Sequence, residues 1–281
     1  VLAVKEREQL SFSAISKKKS SVYGGKVASL GEMFQAGIPV PNGFGISIEA
    51  HRDLGGKSFT DEFKQDLMTA FKSLGFDRVA VRSSAVAEDA ADASWAGQLE
   101  TYLNVDANGL EDAVRKCWKS VEASHVKAYA SDKKLGKDSL LVGVVVQGMV
   151  DSEASGVMFT VNPVTGKKDE VMIEAAYGLG ETVVQGIVTP DNLLVDTKSL
   201  TVSHFGIQIK EKMMVYKNGK NVILPVPDAI SDRAVLREEQ VVELAKLGLK
   251  IAHHYGAPQD IEWARAKGKF YIVQARPITT L

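Results

Sequence analysis

The stretch "QDIEWARAKGKFYIVQARPITT", residues 259–280 of this 281-residue chain, sets Asp260 and Glu262 before a glycine turn and Gln274 and Arg276 after it. Two carboxylates, an amide and a guanidinium at a spacing of two can hold a cation and an anion side by side. Like carboxylates in half-buried surroundings repel, and they stay ionised only if a cation compensates them. Arg276 supplies one positive charge. Oxygen donors from Glu262 and Gln274, with room left for water and phosphate oxygens, fit Mg2+, which takes one or two protein carboxylates and completes its shell from substrate phosphates. The same residues admit a simpler reading, an Arg276 to Glu262 ion pair bracing a sheet.

Two strands must carry those side chains. With Ala266, Lys267 and Gly268 as a three-residue loop and Gly268 left-handed, Arg265 pairs with Lys269 and Asp260 lies opposite Gln274. Alternation then predicts Asp260, Glu262, Gln274 and Arg276 on one face beside Phe270 and Ile272, with Ile261, Trp263, Tyr271 and Val273 on the other.

Further cations stand at glycine-rich positions. Lys26 follows Gly24 and Gly25 at the mouth of a helix, where free backbone N–H groups and the helix dipole favour a phosphate; an exposed lysine at a helix start is the alternative. Arg82 leaves an apolar strand into "RSSA", placed either to clamp a phosphate bidentately or to pair with Glu88 or Asp89. Gly97 in "SWAGQ" allows close backbone approach to a ligand, and Thr101 adds a hydroxyl. "YGLGETVVQG", 177–186, reads as a tight strand-to-helix connection, with Glu181 its one candidate for ligand contact. No Walker A loop, G-x-S-x-G or H-E-x-x-H is present, and His253 and His254 cap a helix.

The elements follow from periodicity. Val27, Leu30 and Phe34 mark a helix ended by Gly37; residues 79–81 are a short strand leading through a long acidic loop to a second strand near 99–105. Residues 109–130 read as a helix with Leu110, Val114, Cys117 and Val121 inward, and "SLLVGVVVQGMV" as a central strand. After Val150 come strands with turn punctuation, then a helix over 236–255 that Gly256 terminates. Runs of strands and helices without strict alternation indicate α+β in two lobes sharing a cleft, residues 1–145 and 146–281. The "SKKKS" run, 16–20, is a solvated loop.

A formal charge of −1 argues against a broad nucleic-acid surface, and no apolar run reaches membrane-spanning length. The single cysteine, Cys117, precludes an internal disulfide and suits a reducing cytoplasm; as a thiol on the inward face of a helix it reads as core.

Six ordered motifs, "GGKVASLGEM", "PVPNGF", "VAVRSSAVAEDAADASWAGQLETYLNV", "SGVMFTVNPVTG", "AAYGLGETVVQG" and "DIEWARAKGKFYIVQARPIT", resemble the N-terminal ATP-grasp nucleotide-binding domain of the phosphoenolpyruvate synthase and pyruvate, phosphate dikinase family over residues 20–281. The domain also occurs in rifamycin phosphotransferases and glucan, water dikinases. The resemblance implies a two-lobed ATP-grasp fold with mixed or antiparallel sheets and a nucleotide cleft between the lobes. It assigns phosphate contacts to Lys26 and Arg82, a phosphate-covering loop to Gly97 and Thr101, and the adenine edge to Gln147 and Met149. Glu262 and Gln274 match its Mg2+ ligands, Arg276 its arginine at the β- and γ-phosphates, and Asp260 an acidic position near the metal. Val86 stands where many relatives carry a hydroxyl residue, and Trp95 where Phe is usual.

The implied activity is ATP-dependent transfer of a phosphoryl group to a histidine on a swivelling domain, in cis or in trans, which serves pyruvate through domains this sequence lacks. A rifamycin phosphotransferase-like module and a non-catalytic regulatory ATP-binding subunit are the alternatives. No T-S-H phosphohistidine motif is found, so the chain is expected to bind Mg-ATP without an acceptor of its own.

Overall fold

A computed structural model describes residues 9–86, 89–90, 93–94, 100–123 and 140–279. The chain divides into two units, Val1–Gly37 with Pro41–Met149, and Ile38–Val40 with Val150–Leu281.

The first unit contains β1 (Gln9–Ser11), α1 (Ser20–Tyr23), α2 (Gly25–Gln35), β2 (Gly43–Ile46), α3 (Ile48–Leu54), α4 (Asp61–Ser73), β3 (Val79–Ser84), β4 (Asp89–Ala90), β5 (Ala93–Ser94), β6 (Thr101–Val105), α5 (Leu110–Ser120) and β7 (Gly143–Gly148). The "SKKKS" run is a short 3-10 helix, Lys17–Lys19, leading into α1 rather than a loop. Of the helix expected over 109–130, Leu110–Ser120 is helical, and residues 124–130 lie outside the described residues. The main sheet is antiparallel in the order β1-β2-β7-β3-β6, so the apolar strand β7 is central as its sequence requires.

Register assigns the two faces of that sheet. The row Phe44, Val146, Val81, Tyr102 faces the core shared with α3, α4 and α5, where Phe59, Phe63, Trp118 and buried Cys117 pack. Burial pushes the Cys117 thiol up to about 12, so it stays protonated. The next row, Gly45, Val145, Arg82, Thr101, faces the other way, and a Cβ on Gly45 would meet Val27 and Tyr23, so α1 and α2 lie over it.

His51 stacks on Trp118 with ring centroids 5.2 Å apart, and its Nδ1 accepts the Val142 N–H at 3.0 Å. Burial holds it down to about 4 against its ordinary value of 6.5. The unfolded chain therefore binds this proton more readily, and the contribution of His51 is complete above pH 6.5 and lost as pH falls through 4. We expect acidification across that window to remove on the order of 2–3 kcal/mol, with a shallower decline in His51→Gln, measured by urea unfolding at a series of pH values.

The second unit contains β8 (Ala154–Phe159), β9 (Glu170–Tyr177), α6 (Glu181–Val184), β10 (Asp191–Asp196), β11 (Val202–Gly206), β12 (Lys212–Lys217), β13 (Lys220–Pro225), α7 (Asp228–Ser231), α8 (Glu238–Tyr255), β14 (Gln259–Ala266) and β15 (Lys269–Pro277). Its large sheet is antiparallel in the order β11-β10-β9-β8-β14-β15, with β12 and β13 forming a separate ribbon. The row Ala275, Ile261, Met158, Ile173, Leu193 is buried, and α8 lies over it: a Cβ on Gly248 would meet the Met158 thioether. The Ile272 N–H donates to the Pro39 carbonyl at 2.9 Å, which ties the 38–40 segment to β15. The fold class is thus α+β in two units with antiparallel sheets. No helix among the described residues is long and apolar enough to cross a membrane.

Candidate functional site

The β14–β15 hairpin differs from the expected one in two linked ways. Its turn has two residues, Lys267 and Gly268, both left-handed at φ 50° and 77°, and Ala266 pairs with Lys269. That is the two-residue hairpin geometry whose twist suits flanking strands, and glycine takes its second position at no steric cost. The register also slips between Glu262 and Trp263, so that Val273 is an extra residue: Glu262 faces Gln274, but Trp263 faces Ile272. Asp260 consequently lies opposite Arg276, not Gln274. The bulge reverses alternation along β15. Phe270 and Ile272 therefore join Trp263 and Ile261 in the core, with Trp263 and Phe270 edge to face at 5.7 Å, instead of lining the polar face.

Asp260, Glu262, Gln274 and Arg276 still share one face, because the bulge falls on the turn side of all four. Arg276 pairs with Asp260, its Nε and Nη2 both reaching Oδ2, at 2.8 and 2.7 Å. Burial, with the charge of Glu262 adding to it, lifts Asp260 above the usual carboxylate range, and Arg276 opposes the shift. Gln274 is buried and directly opposite Glu262, so facing strands bring a carboxylate and a side-chain amide together.

In the first unit, Lys26, Arg82, Thr101 and Gln147 come to the α2 side of the sheet. Arg82 and Thr101 are directly opposed across β3 and β6, and Gln147 is two residues along β7 from Val145. The Lys26 ammonium donates to the Ser83 carbonyl at 3.3 Å. The mouth of α2 is less open than expected: the Gly25 N–H donates to Ala85 O and the Val27 N–H to Ser84 Oγ, at 2.8 and 3.2 Å. Gly24, at φ 85°, allows this docking, since a Cβ there would run into the Ser84 carbonyl. An anion at this position would have to rely on the Lys26 side chain more than on the backbone donors of Gly25 and Val27.

Gln147 is 1% exposed and its Nε2 finds no partner among the described residues. A buried amide hydrogen without an acceptor costs ~1–3 kcal/mol, and a ligand carrying an acceptor would remove that cost. Met149 follows β7 and donates its N–H to Arg78 O at 3.0 Å. Gly97, Trp95 and Glu88 lie outside the described residues, whereas Val86 is described and exposed. Glu181, on the one-turn helix α6, is half-buried and lifted by that burial.

One residue on the hairpin's polar face escaped sequence reasoning. Register continues the Gln274–Glu262 row through Val157 to Glu174 and Asn192. Glu174 is lifted above the carboxylate range by burial first and by Asp260 second. The signal was legible as a lone charge in the apolar run "VMIEAA".

The chain belongs to the family described as pyruvate phosphate dikinase, AMP/ATP-binding domain, whose model matches residues 54–281. Among individual proteins it is 40% identical to the probable phosphoenolpyruvate synthase of Methanocaldococcus jannaschii over 95% of the chain and 26% of that protein. It is 36% identical to the phosphoenolpyruvate synthase of Pyrococcus furiosus over 96% of the chain and 43% of that protein. It is also 37% identical to an uncharacterized phosphotransferase, YvkC, of Bacillus subtilis over 95% of the chain and 34% of that protein. The chain thus spans less than half the length of each of these relatives. Among solved structures, a dinucleotide-forming acetyl-coenzyme A synthetase from Ca. Korarchaeum cryptofilum aligns at TM-score 0.41 and 13% identity, covering 98% of this chain and 96% of that one.

Proposed function

We propose that this chain is the ATP-grasp module of a phosphoenolpyruvate synthase-like enzyme, binding Mg-ATP and yielding a phosphoryl group to a histidine on another domain or chain, for delivery to pyruvate. The observation that carries this reading is the direct opposition of Glu262 and Gln274 across the hairpin, beside the Asp260–Arg276 pair. The donor set fits Mg2+, being all oxygen with one carboxylate. Among the described residues no three His, Cys, Asp or Glu side chains cluster to enclose a metal, so a cation held by Glu262 and Gln274 would rely on oxygens from its nucleotide. When bound, Mg2+ would neutralise phosphate charge.

The chain's own residues bind and orient. Lys26, Arg82 and Arg276 offset charge on the transferring phosphoryl group, a task of positioning and electrostatics rather than covalent chemistry. Arg276 arrives with its fork held, since Asp260 engages both Nε and Nη2. Thr101 adds a hydroxyl donor, Gly97 belongs to the loop covering the phosphates, and Gln147 with Met149 takes the adenine edge.

Incubation with radiolabelled ATP and a separately supplied histidine domain tests the reading. The expected product is an acid-labile, alkali-stable phosphohistidine on that domain, formed only with Mg2+. Normal ATP binding without any phosphohistidine would overturn transfer and leave the regulatory subunit, the reading favoured by Val86, exposed and apolar, at a position where the family resemblance implies a hydroxyl residue in many relatives.

A further inference from the structure

Glu174 is misplaced as a structural residue. It sits in the middle of β9 between Ile173 and Ala175, both fully buried, and alternation sends it to the face opposite α8, where Glu262 and Gln274 also point. Neither its carboxylate nor the Asn192 side chain beside it on β10 makes a hydrogen bond among the described residues. Burial and the charge of Asp260 both disfavour its ionised form, so an uncompensated carboxylate here costs stability. Hydrogen-bond donors brought by a ligand would reverse that cost.

Spacing says which part of a ligand. Glu174 is two strands from Glu262, with Val157 between, a separation of about 10 Å along the sheet. That is too far to share a cation with Gln274, on the far side of Glu262. It matches instead the reach from the metal-bound phosphates of a nucleoside triphosphate to its sugar. A carboxylate accepts through two oxygens, and a vicinal diol presents two donors at matching separation.

We propose that Glu174, assisted by Asn192, is the ribose-recognising residue of the nucleotide site, its two oxygens accepting the 2′- and 3′-hydroxyls. This rests on the Mg-ATP reading above. No covalent step is involved; the residue sets sugar specificity and anchors the nucleoside.

The test is calorimetric titration of the chain with ATP, 2′-deoxyATP and 3′-deoxyATP at saturating Mg2+, for wild type, Glu174→Gln, Glu174→Ala and Asn192→Ala. Wild type should prefer ATP over either deoxy analogue by at least about tenfold, the equivalent of one hydrogen bond to a charged group. Glu174→Gln and Glu174→Ala should lose that preference while retaining the deoxy affinities, and Asn192→Ala should lose part of it. Unchanged discrimination in the two Glu174 variants overturns the assignment. So does a loss of Mg2+ dependence in place of sugar discrimination, which would make Glu174 a metal ligand. Failure of wild type to bind any of the three nucleotides would instead bring down the Mg-ATP reading itself.

Discussion

Glu262→Ala should weaken Mg2+-dependent ATP binding by about a hundredfold, ~3 kcal/mol, while metal-free AMP binding stays near the wild-type value. Glu262 is the one carboxylate of the opposed pair, and the charge it offers a cation cannot come from Gln274, which contributes only an amide oxygen. Gln274→Ala should therefore cost less, about tenfold. Arg276→Ala should behave differently again. It removes the partner that opposes the upward shift of Asp260, and with it the phosphate contact proposed above, so ATP and ADP should weaken more than AMP while Mg2+ dependence survives. Calorimetry with ATP, ADP and AMP, with and without Mg2+, separates the three patterns. Unchanged affinity in both Glu262→Ala and Arg276→Ala would remove the hairpin from the site altogether.

Much of the hairpin was legible because two kinds of signal agreed. Alternation placed four polar residues on one face, and the glycine fixed the position of the turn. Its register was not legible, because an extra residue at Val273 and a shorter loop shift pairing in compensating ways that leave Glu262, Gln274 and their neighbours facing together. The apolar residues nearer the turn carry no such compensation, and Phe270 and Ile272 moved to the core. The β12–β13 ribbon went unread although its turn is Asn218-Gly219, a strong hairpin signal; both residues are left-handed, at φ 52° and 80°. Glu174 was missed for another reason. Its place in one row with Glu262 depends on β8 pairing with both β9 and β14, a contact across about a hundred residues that local periodicity does not encode.

The burial of Lys210 was equally invisible, and it supports the second large prediction: Asp191→Ala should destabilise the β9–β10 region by ~3–5 kcal/mol. Lys210 and Asp191 have side chains 0% and 1% exposed, with Nζ 2.6 Å from Asp191 Oδ1. The same ammonium donates to the Gln208 and Arg233 carbonyls at 2.7 and 2.6 Å. Asp191 in turn accepts the Gln208 N–H on Oδ1 and the Val235 N–H on Oδ2, at 2.9 and 2.8 Å. Its removal strands a charge and orphans two backbone donors at once. Lys210→Met strands the carboxylate, which keeps both N–H bonds, and takes a donor from the Gln208 and Arg233 carbonyls; under-satisfied carbonyls are tolerated better than orphaned N–H groups, so it should cost less. The order distinguishes a satisfied network from a plain ion pair, whose two halves would be equivalent.

Amide hydrogen exchange is the appropriate measurement, since a chain of two units need not unfold in one step. Tyr177, at the end of β9, donates to the Ile230 and Arg233 carbonyls, so the Lys210 clasp holds the segment that also anchors this strand. Exchange should accelerate first in β9 and β10, the strands that carry Glu174 and Asn192, and least in β15, at the opposite edge of the sheet. If the clasp positions those two side chains, Asp191→Ala should also erode discrimination between ATP and its deoxy analogues while the metal response of Glu262 and Gln274 persists. Equal acceleration in β10 and β15 would mean that the pair stabilises the sheet as a whole and has no particular hold on the strands that carry Glu174 and Asn192.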